Sequence, residues 1–207
     1  MIKIKSIYEV ESRFQFKDEE EIFVKLPFVK NSLKTDLKWE SIHYGPRLFK
    51  EDIVLRMSTV DYANSKMQSI SYKEADLGEK INVRREYSEI INEELLQSKI
   101  INILGGNRAV NSWSGITEEL LELGHKNFMS FRGQSRVGHY GPLNLDIKIM
   151  YCSALRYPLL LELEKAASDI EDAKVKSREL WELIEEYELK DKMIIKEPPT
   201  LLYETIY

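Results

Sequence analysis

A 4-3 alternation of apolar and small residues in the last quarter of the chain constrains the fold more than anything else in the sequence. Leu159, Leu163, Ala166, Ile170, Ala173, Ser177, Leu180, Ile184 and Tyr187 follow it for about four heptads. Pro158 stands where the first turn of a helix accepts proline. Taken as one helix, residues 158–190 make a rod of about 50 Å, whereas a compact domain of this length is about 43 Å across. Such a helix must break near 172–177, pair with another helix of its own chain, or project to a partner. The pattern therefore predicts a coiled-coil-like seam, with Leu163, Ile170, Leu180, Ile184 and Tyr187 as the candidate partner interface.

The rest of the chain reads as α+β: an N-terminal antiparallel sheet, central helices and the long C-terminal helix. Ile2, Ile4, Ile7, Val10, Phe14 and Phe16 lead into the charged run 17–21, and Ile22-Phe23-Val24-Lys25-Leu26 follows, which predicts a hairpin. Segments 51–57, 67–72 and 80–84 are further strand candidates. Apolar doublets from Ile90-Ile91 through Leu95-Leu96 to Ile103-Leu104 predict a helix from Tyr87 to the Gly105-Gly106 stop. A short helix ending at Gly124, an irregular stretch to Pro142 and an alternating strand over 143–151 come next. Pro198-Pro199 predicts an extended tail. These elements divide into a domain over 1–157 and a helix with tail over 158–207.

Charge narrows the function classes. The net charge of −5 gives no global pull toward nucleic acid or membrane, and no apolar run is long enough for a span. One cysteine, Cys152, cannot form an internal disulfide, which favours a reducing, cytoplasmic home. Residues 157–207 carry seven Lys/Arg against thirteen Asp/Glu, while within 125–156 Asp146 is the only acid against five Lys/Arg. That basic stretch interleaves aromatics and glycines. It predicts a glycine-rich loop contacting phosphate or nucleic acid through Lys126, Arg132, Arg136, His139 and Tyr140.

Two histidines share a tetrapeptide, His43-Tyr44-Gly45-Pro46 and His139-Tyr140-Gly141-Pro142, which are either two similar turns or two proton-transfer groups on one cleft. No zinc, calcium, P-loop, dinucleotide or nucleophile-elbow spacing is present, so no cofactor or metal is expected. Ser130-Phe131-Arg132-Gly133-Gln134-Ser135 resembles the opening motif of FRG domains, and the downstream His139-Tyr140-Gly141-Pro142 resembles part of that family's second element. Here the two elements nearly abut, and the Thr-Arg that follows the proline in the family is missing. The resemblance implies a relation to ADP-ribosyltransferases and supports only a second reading.

Taken together, the sequence predicts a non-catalytic subunit of a larger assembly, nucleic-acid-associated or viral. It would bind itself or a protein through 158–207, and DNA or RNA through the basic loop. The alternatives are a small enzyme on a nucleotide or phosphorylated substrate, with Arg132 and Arg136 on phosphate and His139 or His43 moving a proton, and a structural homo-oligomer.

Overall fold

The computed structural model describes residues 5–63, 65–92 and 97–206. Strands dominate it: β1 (Lys5–Gln15), β2 (Leu33–Tyr44), β3 (Val54–Tyr62), β4 (Ser65–Lys73), β5 (Asn82–Ile90), β6 (Asn127–Tyr140), β7 (Leu145–Tyr151), β8 (Leu159–Ala167) and β9 (Met193–Ile194). Short helices join them: α1 (Glu19–Lys25), α2 (Pro27–Ser32), α3 (Pro46–Lys50), α4 (Lys99–Ile103), α5 (Trp113–Glu122), α6 (Ile170–Glu186) and α7 (Pro198–Ile206). The hydrogen-bonded order is β5-β4-β3-β2-β6-β7-β8-β1-β9, and β5 also pairs with β1, so the pairing is cyclic through eight strands. Every pairing with a described register is antiparallel.

This overturns the expected architecture of an N-terminal sheet followed by a long coiled-coil-like helix. Residues 159–167 are strand β8, and the helix begins only at Ile170, giving 17 residues or about 26 Å. The reason is local. Asp169 caps α6 by accepting from the Asp172 amide at 2.9 Å, and the Asp172 carboxylate accepts from the Ser168 amide at 2.9 Å. Before that cap, Leu159, Leu161 and Leu163 recur with period two, and a 4-3 count across the cap mixes strand and helix. On α6, Ala173, Leu180 and Ile184 are buried in the chain's own core.

Other expectations fail for similar reasons. Residues 22–25 belong to helix α1, because the Asp18 carboxylate accepts from the Glu21 amide and Ile22 and Leu26 fall one turn apart. The helix expected over 87–104 is strand β5 up to Ile90 and helix only at 99–103; its Leu95-Leu96 doublet lies outside the described residues. The irregular stretch before Pro142 is the 14-residue strand β6. The extended tail is α7, with prolines in its first turn, where the missing amide costs nothing. Strands near 51–57, 67–72 and 143–151, the short helix ending before Gly124 and the strand at Met193 stand as expected.

The chain forms two units. The first comprises residues 1–7, 39–76 and 85–131; the second comprises 8–38, 77–84 and 132–207. In the first, α4 and α5 bring Ile100, Ile101, Ile116 and Leu120 onto Leu55, Met57, Ile70 and Tyr87 of β3, β4 and β5. In the second, α1, α2 and α6 cover one face of β1, β7 and β8 through Ile22, Leu26, Val29, Leu180 and Ile184. Val10, Phe14, Ile147, Ile149, Leu161 and Leu163 form that face, and none is more than 2% exposed.

Candidate functional site

The opposite face of the same strands in the second unit is charged. Side chains alternate along a strand, so directly paired residues share a face. The registers therefore lay out three successive rows across four strands. One row is His139, Asp146, Glu164 and Glu11; the next is Val137, Lys148, Glu162 and Arg13; the third is Ser135, Met150, Leu160 and Gln15. Neighbouring rows are about 7 Å apart, two residues along a strand. Glu9 continues β1 beyond the first row.

Arg13 is the hub of the middle row and is only 2% exposed. Its guanidinium pairs with Glu11, donates to Glu162 at 3.2 Å and to Asn82 at 2.9 Å, and lies 3.7 Å from Glu197. Burial opposes its charge, but Glu11, Glu197, Glu162 and Glu9 outweigh that and push its pKa above the ordinary guanidinium value. Arg84 pairs with Glu197 at 2.8 Å, and Lys148 with Glu162 at 2.6 Å. Glu9, Glu11, Glu162, Arg84 and Glu197 are all buried. In the first row, His139 Nδ1 lies 2.7 Å from the Asp146 carboxylate, and both side chains are about half exposed.

Beyond the third row lie two adjoining clefts of about 510 and 540 Å³ that share Gln15, Arg156 and Tyr157. Met193, Ile194, Lys196, Leu201 and Glu204 line one, and Phe16, Lys17, Pro158 and Lys192 line the other. The Arg156 guanidinium lies 5.4 Å from the Tyr157 ring centre. The Gln15 side-chain oxygen is buried and has no hydrogen-bond partner among the described residues. Among the described residues, no group of three or more His, Cys, Asp or Glu is arranged to hold a metal ion.

The residues expected to bind phosphate are not one loop. Lys126 is exposed in the first unit, where its carbonyl accepts from the Gly45 amide. Arg132, Arg136 and Tyr140 lie on β6 in the second unit, on the face opposite His139. Arg136 chelates Glu19 at 2.8 and 2.9 Å and pairs with Asp36 at 3.3 Å. Tyr140 stacks on Phe28 at 4.7 Å, and Arg132 is exposed. Gly138 serves packing, since a Cβ there would fall 1.8 Å from the Ser32 carbonyl oxygen. His43 is buried in the first unit, stacked on Phe131 at 5.4 Å, whereas His139 belongs to the second. Of the expected interface residues, Leu163, Leu180 and Ile184 are fully buried within the chain, and Ile170 and Tyr187 are partly buried against the same core. The sequence reading missed Glu9, Glu11, Arg13, Lys148 and Glu162. Their signal is charge of both signs at period two, in Glu9-Val10-Glu11-Ser12-Arg13-Phe14 and again in β7 and β8.

No protein-family model matches the sequence, and no curated protein sequence matches it. Solved structures do share its fold. A Pyrococcus horikoshii OT3 protein matches with TM-score 0.73 at 19% identity, over 95% of this chain and 99% of its own. A putative adenylate cyclase from Vibrio parahaemolyticus matches with TM-score 0.63 at 10% identity, over 96% of this chain and 99% of its own. A putative adenylyl cyclase from Hippeastrum, described as having a dominant triphosphatase activity, matches with TM-score 0.61 at 14% identity, over 96% of each chain. The shared fold overturns the expected non-catalytic, viral or coiled-coil assembly subunit. No helix among the described residues is long and apolar enough to cross a membrane.

Proposed function

We propose that this protein is a small hydrolase of triphosphates, acting on a nucleoside triphosphate or a related phosphorylated substrate at the charged face of β1, β7 and β8. The observation that carries this reading is the middle row, where Arg13 and Lys148 meet on Glu162. Structural ion pairs are seldom buried so densely without a reason, because desolvating each charge costs several kcal/mol.

The charge balance specifies the form of the substrate. Arg13, Arg84 and Lys148 stand among Glu9, Glu11, Glu162, Glu164, Asp146 and Glu197, so a bare polyphosphate meets net repulsion. A magnesium–triphosphate complex meets both halves. Its phosphate oxygens go to the three cations, and its cation, which usually takes one or two carboxylates plus phosphate, goes to the acids. Three equatorial phosphoryl oxygens gain charge stabilisation from Arg13 and Lys148 as the bond to the leaving group breaks. The clefts beyond Gln15 suit the organic end, with Tyr157 and Arg156 as stacking surfaces. A cytoplasmic location, where such substrates occur, agrees with the single buried thiol of Cys152.

The test is phosphate release from magnesium complexes of ATP and of inorganic tripolyphosphate. Turnover of at least one, abolished by chelation, is expected. An enzyme-grade preparation that releases phosphate from neither overturns the reading. Replacing Tyr157 by Ala should raise KM for ATP roughly tenfold and leave tripolyphosphate unchanged.

A further inference from the structure

We infer that His139, oriented by Asp146, is the general base that takes the proton from the attacking water. The inference rests on the hydrolase reading above and adds a residue and a direction of attack to it.

Three observations carry it. First, Nδ1 lies 2.7 Å from the Asp146 carboxylate. A carboxylate can only accept, so Nδ1 carries the proton and the Nε2 lone pair is left available. Second, register places His139 diagonally across from Lys148: Val137 is directly opposite Lys148, and His139 is two residues further along on the same face. Side chains at such diagonal positions start about 7–8 Å apart, so an imidazole and a lysine ammonium can converge on one small group. A phosphoryl group held at Lys148 is therefore within reach of Nε2 or of a water bound to it. Third, the clefts lie on the other side of the middle row, beyond Gln15. Water from the His139 row and a leaving group toward the cleft stand on opposite sides of the phosphoryl group, which is the in-line arrangement that phosphoryl transfer requires.

The step balances. The water oxygen forms a bond to the terminal phosphorus while the bond from phosphorus to the bridging oxygen breaks, its electron pair leaving with the diphosphate. One water proton passes to His139 Nε2, and Asp146 stabilises the resulting imidazolium. The half-exposed ring then returns the proton to solvent. Lys148, Glu162 and Glu164 are the other charged groups on these rows beside it. As an exposed pair, His139–Asp146 contributes little to stability, so its removal can be read kinetically.

The experiment compares the full-length protein with His139→Ala, His139→Gln, Asp146→Asn and Lys148→Met, using magnesium tripolyphosphate and measuring kcat and KM separately. For His139→Ala and His139→Gln we expect kcat to fall about 100-fold with KM within about twofold. Added imidazole should restore at least tenfold to the alanine variant. Asp146→Asn should cost about tenfold in kcat. Thermal melting should match the parent in each. A histidine variant keeping more than a third of kcat, a loss confined to KM, or no imidazole rescue overturns the inference. If Lys148→Met is inactive while His139→Ala is not, this inference falls and the hydrolase reading stands. If the parent itself releases no phosphate, both fall.

Discussion

The two faces of β1 are equally buried and chemically opposite. Val10 and Phe14 are fully buried against helices α1, α2 and α6, where burial removes apolar area from water. One residue over, Glu11 and Arg13 are 4% and 2% exposed, and each is held by ion pairs. The first face lowers the free energy of folding. The second raises it unless every charge is paired, and such groups persist where they serve a site. Burial alone therefore does not distinguish the two faces of β1; the kind of partner does.

Two single substitutions of similar cost probe the two faces. Phe14→Ala should lose about 3–5 kcal/mol of unfolding free energy in urea denaturation through the cavity left behind. Arg13→Met should lose about as much, but through uncompensated buried carboxylates. The faces then diverge. Adding Glu11→Gln and Glu162→Gln to Arg13→Met should restore most of the stability while leaving turnover absent. Recovery of turnover with stability would mean that the charged face is scaffold too.

Lys148 separates site from scaffold at smaller structural cost. Its side chain is 39% exposed, so Lys148→Met should change stability by less than about 1 kcal/mol. The same change should lower kcat/KM for magnesium tripolyphosphate by about 100-fold. Unchanged kinetics would move the phosphate away from the middle row.

The smallest effect belongs to an ion pair on the helix-covered face. Lys165 on β8 pairs with Glu179 of α6 at 2.9 Å, and its hydrogen bond, aided by the Lys165 and Lys176 charges, holds the Glu179 carboxyl below its ordinary value despite partial burial. A depressed carboxyl pKa adds stability that is present above the unfolded value, about 4.3, and is lost as pH falls through the folded one. Glu179→Gln should thus be less stable than the parent at pH 7, and the gap should close in melts below about pH 4. A gap that persists in acid would assign the effect to packing.

How much of this was legible in the sequence follows the same division. The strand expected over 143–151 was readable because apolar residues there alternate with polar ones, and those expected over 51–57 and 67–72 overlap strands at 54–62 and 65–73. Strand β8 was not, since Leu159, Leu160 and Leu161 are apolar on both faces and fall into step with the helix after Asp169. Helix α1 was hidden for a related reason. Ile22-Phe23-Val24 has strand composition, and only the Asp18 cap and the wide spacing of Ile22 and Leu26 reveal the helix. Of the residues expected on phosphate, His139 is the one that lies on the charged face, while Arg132, Arg136 and Tyr140 on the same strand face the other way. Glu9, Glu11 and Arg13 alternate with Val10, Ser12 and Phe14, which by itself is the pattern of a strand with one face in solvent. That side is buried as well, with Arg13 held by Asn82 and Glu197 from distant parts of the sequence, and a sequence taken segment by segment carries no sign of it.

A crystal structure of the protein with magnesium and a non-hydrolysable nucleoside triphosphate analogue tests the role of the charged face most directly. The triphosphate is expected against Arg13 and Lys148, with the terminal phosphoryl group nearest His139 and the base in the cleft at Tyr157. A triphosphate bound away from the charged face, for example at Arg132 on the other side of β6, would contradict it.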